Sequence, residues 1–186
     1  MKIILTGPRS VGKTTVGLDV AKKLNLEFHE GDKLMQKKLE SVGGLSNVIE
    51  SKKHDEIIKN AIEVKDEIYS KDDFLYDMAG GALILAEKYK DYYDMMMDSK
   101  SKSIFICLIP FNDIPKSIEL LYNREINREH FKELDSKTIK ENTRKYYLEF
   151  LDVYEKYCDK IIYTENKSVN DISEEIISYL QTLDHD

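Results

Sequence analysis

Gly7-Pro8-Arg9-Ser10-Val11-Gly12-Lys13-Thr14 is the stretch of this chain whose residue types and spacing point most directly to chemistry. Its two glycines permit backbone angles closed to other residues, so the amides of Ser10, Val11, Gly12, Lys13, Thr14 and Thr15 are free to converge on one anion. Lys13 adds a mobile positive charge for the outer phosphates of a nucleotide, and the Thr14 hydroxyl suits a magnesium ion. The pattern G-x-x-x-x-G-K-[ST] has force only with a strand before it and a helix after it. Both are expected here: Ile3-Ile4-Leu5 is a short apolar run, and Val16, Val20 and Leu24 fall on one helical face. The segment reads as a phosphate-binding loop at the mouth of a helix whose positive dipole end faces the ligand.

The elements that must hold this loop alternate along the chain. Leu26 to His29 is a second short strand, closed by Glu30-Gly31-Asp32, and a helical pattern from Lys33 to Leu39 ends at Gly43-Gly44. A longer helix follows, with Ile57, Ala61, Val64 and Ile68 on one face. Phe74-Leu75-Tyr76 is a third strand, ending in Asp77 and then Ala79-Gly80-Gly81. Leu83 to Tyr93 reads as a helix, with Met95 to Met97 as core or gap-filling residues near its end. Ile104 to Ile109 is continuously apolar, as a strand covered on both faces must be. The segment from Thr138 to Tyr157 reads as one helix, and Ile161-Ile162-Tyr163 as a fifth strand. Ser168-x-x-Asp171 has the form of a capping box opening a last helix that turns Ile172, Ile176, Leu180 and Leu183 inward. This alternation implies an α/β fold: a three-layer α/β/α sandwich around a five-stranded parallel sheet, in one domain spanning 1–186. Ligands of such sheets bind at the carboxyl ends of the strands, where the phosphate loop, Glu30 to Asp32 and Asp77 to Gly81 all fall.

Composition excludes several classes. A net charge of −7 argues against nucleic acid as the main partner, so an anionic ligand must be held by local charge and amides. No apolar run approaches the roughly 20 residues that span a bilayer. The first strand runs directly into the loop, which does not read as a signal peptide. Two cysteines, Cys107 and Cys158, are too few for a disulfide framework and fit the core of a protein in a reducing cytoplasm. His29, His54, His130 and His185 show no metal-ligand spacing. A guanine-reading Asn-Lys-x-Asp is absent, since Asn166-Lys167-Ser168-Val169 lacks the aspartate. So is the Asp-Glu pair of mechanical ATPases: after Tyr76 only Asp77 appears.

The order of features resembles the small-molecule kinases of the nucleoside-monophosphate-kinase type and, within them, the shikimate kinases. Four stretches carry the resemblance: the loop continuing through Thr15-Val16-Gly17 to Leu26; Phe28-His29-Glu30-Gly31-Asp32; Ala79-Gly80-Gly81-Ala82; and Leu151-x-x-Tyr154-Glu155-x-x-x-Asp159 running into Ile161-Ile162-Tyr163-Thr164. The resemblance implies a P-loop kinase fold, with substrate-binding helices over about 33–70 and a lid over about 124–137. It implies ATP and Mg2+ as cofactors and a small hydroxyl-bearing acceptor as substrate. Asp32 would hold and orient the acceptor hydroxyl, and Gly80 and Gly81 would bring backbone close to it. Glu30 would help hold Mg2+ through water, with Asp77 as a further outer-shell ligand beside Thr14. Arg124 or Arg128 would be the lid arginine that closes over the phosphates. Adenine rather than guanine follows from the resemblance alone.

The chain departs from that family at three places. Ile58 and Phe150 stand where carboxylate-gripping arginines are aligned, with Arg144 nearby on the helix of Phe150, and Ala79 replaces the first glycine of a triplet. Plainer readings stand beside each assignment. Asp32 also suits a helix cap, Glu30 and the arginines suit a solvated surface, and Gly80-Gly81 suits an ordinary turn. The expectation is a cytoplasmic kinase, monomeric or a weak homodimer, transferring the γ-phosphoryl group of ATP to a hydroxyl. The alternatives are a nucleoside or nucleotide kinase of the same fold, and a nucleotide-binding regulatory protein without catalysis.

Overall fold

Five parallel strands form the sheet: β1 (Lys2–Thr6), β2 (Glu27–Glu30), β3 (Phe74–Asp77), β4 (Ile104–Ile109) and β5 (Lys160–Tyr163), in the order β2-β3-β1-β4-β5. The computed structural model describes residues 1–44, 47–48, 51, 53–127 and 134–183. The helices between the strands are α1 (Lys13–Leu24), α2 (Gly31–Lys38), α3 (His54–Tyr69), α4 (Gly81–Lys88), α5 (Lys90–Lys100), α6 (Ile114–Glu125), α7 (Ser136–Leu151), the short α8 (Tyr154–Tyr157) and α9 (Val169–Leu183).

Side chains alternate across a strand, and this alternation divides the core in two. Ile4, Phe74, Phe105, Cys107 and Ile109 pack on one face against residues of α2 to α5 and Phe150 of α7. Ile3, Leu5, Leu75, Ile106 and Leu108 pack on the other against α1, α6 and α9. The apolar run of β4 is therefore covered on both sides, and the three-layer sandwich is as expected. Strand order reverses at β1: its neighbour β3 leads back to β2 on one side, and β4 begins the other. The carboxyl end of β1 is thus the switch point where parallel sheets open a crevice, and the phosphate loop leaves from it.

Four local readings are corrected. The helix read over Leu83 to Tyr93 is two, because Tyr89 is extended (φ −132°, ψ 122°), with its ring against His54 at 5.4 Å. That turn swings α5 onto α3, where Lys65 pairs with Asp98 at 2.6 Å. The helix read over Thr138 to Tyr157 stops at Leu151. Buried, β-branched Val153 leaves helical geometry (φ −122°), and the short α8 then brings Tyr154 and Tyr157 into the core. Met96 is buried but Met97 is 39% exposed, and Leu183 at the end of α9 is 41% exposed rather than inward. The capping box is as read: the Asp171 amide donates to Ser168 Oγ at 3.2 Å, and Asp171 Oδ2 accepts from the Ser168 amide at 2.9 Å.

Candidate active site

The phosphate loop is built by backbone geometry at the end of β1. Gly12 has φ 109°, a left-handed angle that L side chains rarely adopt, and no atom stands within 4 Å of where its Cβ would be. Ser10 also has positive φ, at 67°. Helix α1 starts at Lys13 with no side-chain cap, so its first amides are left for a ligand. Lys13 Nζ donates to the carbonyls of Gly7 at 3.1 Å and Pro8 at 3.2 Å, folded back along the loop. These amides and this ammonium suit the phosphates of a nucleotide.

At the rear of the loop the Thr14 hydroxyl donates to Asp77 Oδ2 at 2.6 Å. Asp77 ends β3, in register with Leu5 of β1 and Glu30 of β2, so sheet pairing itself gathers the acids. Burial raises the Asp77 carboxyl above its ordinary value; Lys13 and Thr14 pull it down, and Asp32 and Glu30 push it further up. A buried acid in an anionic setting has need of a cation. Among the described residues no three acids, histidines or cysteines cluster as a metal cage. Thr14 and Asp77 would hold the ion. Glu30 pairs with Lys33 at 2.7 Å, which ties it to the first turn of α2.

Asp32, the residue expected to face an acceptor, lies exposed in the first turn of α2 and has no cap role through its side chain, since the cap position is Glu30. Gly80 packs against the phosphate loop itself. A Cβ there would lie 2.5 Å from the Gly7 carbonyl and 3.0 Å from the Phe150 ring. Its φ of −60° is ordinary, so close approach and not backbone angle requires glycine. Gly81 opens α4, also without a side-chain cap, and lies near the Tyr146 phenol: a Cβ there would stand 3.9 Å from the hydroxyl oxygen. Burial, opposed by Arg9, pushes that phenol up to about 12, and the Asp32 and Glu125 charges add to the rise. Phe150 is fully buried and stacked on Tyr154 at 5.6 Å, a floor beneath Gly80.

Of the three arginines singled out from the sequence, Arg124 and Arg144 are described. Arg124 sits in the last turn of α6 and its Nη1 donates to the carbonyls of Ser10 at 2.9 Å and Val11 at 3.0 Å, so it braces the outer wall of the loop. Arg128 lies outside the described residues. Arg144 is exposed on α7, about 200° round the helix from Tyr146 at 3.6 residues per turn. Thr15 is exposed at the start of α1.

Three residues absent from the sequence reading join this site. Arg9 donates from Nε to Glu125 Oε1 at 2.7 Å and from Nη2 to Glu125 Oε2 at 3.0 Å. Glu125, 1% exposed, also accepts from the Thr143 hydroxyl at 2.6 Å. The Arg9 guanidinium lies 5.3 Å from the centre of the Tyr146 ring. The phosphate loop, the end of α6 and the middle of α7 are thereby tied together. The one signal in the sequence was a charged side chain inside the loop, which had no visible partner.

Comparison with known proteins agrees with this geometry. The family model described as shikimate kinase matches residues 9–181. A shikimate kinase of Flavobacterium psychrophilum is 28% identical over 94% of this chain and 96% of its own length. Among solved structures, a shikimate kinase from Bacteroides thetaiotaomicron superposes with a TM-score of 0.75 at 17% identity, covering 99% of this chain and 98% of the other. A shikimate kinase from Acinetobacter baumannii, in complex with shikimate, gives 0.67 at 19% identity over 97% and 93%. The chain is a P-loop kinase and belongs to the shikimate kinase family.

Proposed function

We propose that this kinase transfers the γ-phosphoryl group of ATP, with Mg2+, to a hydroxyl of a small metabolite. The observation that carries the reading is the contact of Gly80 with Gly7, which sets the acceptor loop directly on the phosphate loop. Transfer of a phosphoryl group depends mainly on alignment and on neutralising charge around it. The loop amides and Lys13 bind and orient the phosphates, and Arg124 keeps the loop wall in place. Mg2+, bound at Thr14 and Asp77, would supply positive charge to the phosphate oxygens. Asp32 accepts the proton of the acceptor hydroxyl and aims its oxygen. The lid expected over about 124–137 lies in part outside the described residues; its role would be to exclude water, which would otherwise take the phosphoryl group. No helix among the described residues is long and apolar enough to cross a membrane.

The test is ADP release from Mg·ATP across a panel of hydroxylated metabolites, shikimate included. Release that rises with one acceptor and stops on chelation of magnesium supports the reading. Slow release indifferent to every acceptor would turn the account toward a nucleotide-binding protein without catalysis.

A further inference from the structure

We propose that Glu125 is a positioning residue for the phosphoryl donor, an inference that rests on the nucleotide-binding part of the reading above. Acting through Arg9, it holds the phosphate loop in its ligand-ready shape before nucleotide arrives. The last two residues of α6 grip the loop from outside by opposite means. Arg124 takes the carbonyls of Ser10 and Val11 at 2.9 and 3.0 Å, and Glu125 takes the Arg9 guanidinium at 2.7 and 3.0 Å. Between these two grips lies Ser10, at φ 67°. A residue other than glycine keeps such a left-handed angle only where its surroundings hold it there. The grip also aims donors. In a trans peptide the carbonyl and the following amide point in opposite directions, so holding the Ser10 and Val11 carbonyls turns the Val11 and Gly12 amides away from α6. The Val11 amide makes a bond of 3.4 Å to the Pro8 carbonyl, long enough for a phosphate oxygen to displace.

Glu125 is an odd residue for packing alone. It is 1% exposed and ends a helix, where the dipole is negative and a carboxylate is disfavoured. A buried ion pair adds little stability that apolar side chains of similar size would not. What a two-bonded arginine–carboxylate pair does add is direction, because the planar fork fits one orientation. The Thr143 hydroxyl, at 2.6 Å, holds the carboxylate from α7, and the Tyr146 ring, 5.3 Å from the guanidinium, flanks the fork from the same helix. One pair thus sets the loop against both α6 and α7.

Titration calorimetry of Mg·ATP into the full chain, without acceptor, tests this, with urea unfolding of each variant read beside it. Arg9→Met and Glu125→Met are each expected to raise Kd about tenfold, as when about one molecule in ten keeps the ligand-ready loop. Arg9→Lys keeps the charge and loses the fork, and is expected to match Arg9→Met. Glu125→Gln keeps size and one acceptor oxygen, and is expected to raise Kd only about threefold. Arg9→Met/Glu125→Met strands no charge, so unfolding is expected to return towards wild type while Kd stays at the Arg9→Met value. Affinity restored along with stability in that double variant would show that the pair only braces the fold, and overturns the proposal. So does an unchanged Kd in Glu125→Met. Losses that multiply in the double variant overturn it too, since Glu125 would then act apart from Arg9. Tighter binding by Glu125→Gln would make Arg9 a phosphate ligand that Glu125 restrains, again against the proposal. A wild-type chain that binds no Mg·ATP defeats the nucleotide reading itself and this inference with it.

Discussion

The two halves of the crevice are held by different means. On the donor side, binding groups are backbone amides at the uncapped start of α1, with one lysine and one hydroxyl, all within residues 7–14. On the acceptor side, the groups come from α2, α4 and α7, and their positions depend on side chains joined over long stretches of sequence. Arg9 and Glu125 are 116 positions apart, and Gly80 reaches back to Gly7 through packing alone. Helices α6 and α7 begin at acid caps, whereas α3, α5 and α8 have none: Asp113 accepts from the Lys116 amide at 2.9 Å, and Asp135 from the Lys137 and Thr138 amides at 3.0 Å. Helices α1, α2 and α4 have no such side-chain caps. The donor half is therefore a local device, and the acceptor half a tertiary one.

That contrast can be broken by substitutions on either side. Lys13→Ala removes the ammonium of the phosphate loop, and kcat for acceptor-dependent ADP release is expected to fall on the order of 10²–10³-fold. Urea unfolding should change by only about 1 kcal/mol, since the hydrogen bonds lost run to the carbonyls of Gly7 and Pro8. Arg9→Met should behave in the opposite way. It strands a carboxylate that is 1% exposed, with Thr143 as its remaining partner, and is expected to cost about 3 kcal/mol in urea unfolding. The low end of the range applies because Arg9 is itself 37% exposed and the pair is partly screened. Asp32→Asn is expected to lower kcat about 10²-fold with KM for ATP nearly unchanged, on the proposal that Asp32 takes the acceptor hydroxyl's proton. Thr143→Val removes one hydrogen bond from Glu125 and is expected to cost about 1 kcal/mol.

Acid sharpens the same division. The Asp77 carboxyl is raised by burial, so on this group alone folding is favoured below its ordinary value near 3.8 and that advantage is lost as pH rises through the folded value. Magnesium needs the ionised form and competes with the proton. Apparent Mg2+ affinity is thus expected to weaken on acidification sooner than an ordinary aspartate would allow, as read by ADP release across magnesium titrations. Asp77→Asn should abolish that dependence along with most of the affinity.

These differences explain what could be read in the chain before its fold. The phosphate loop was legible because its chemistry lies in eight consecutive residues between a strand and a helix. The five strands were legible too, because β1, β3 and β4 are short apolar runs and parallel pairing leaves them little else to do. Asp77 was visible as the acid closing β3, but its bond to Thr14 depends on the register of β1 against β3. The break at Tyr89 was hidden, since a tyrosine in a helical pattern gives no warning that its ring will seek His54. Arg9 read as one more loop position, and Glu125 as one charge in a charged stretch. Neither shows its partner in sequence, because only the meeting of β1, α6 and α7 creates it. Arg144 looked close to Phe150 along the chain and stands elsewhere on the helix surface.

The most direct test of the central claim is phosphorus NMR of the reaction with Mg·ATP and the acceptor that most stimulates ADP release. Phosphoryl transfer between two abutting loops predicts a phosphomonoester resonance growing in step with ADP, with little inorganic phosphate, and its near loss in Asp32→Asn. Inorganic phosphate as the main product, at a rate the acceptor and Asp32→Asn leave unchanged, would contradict it.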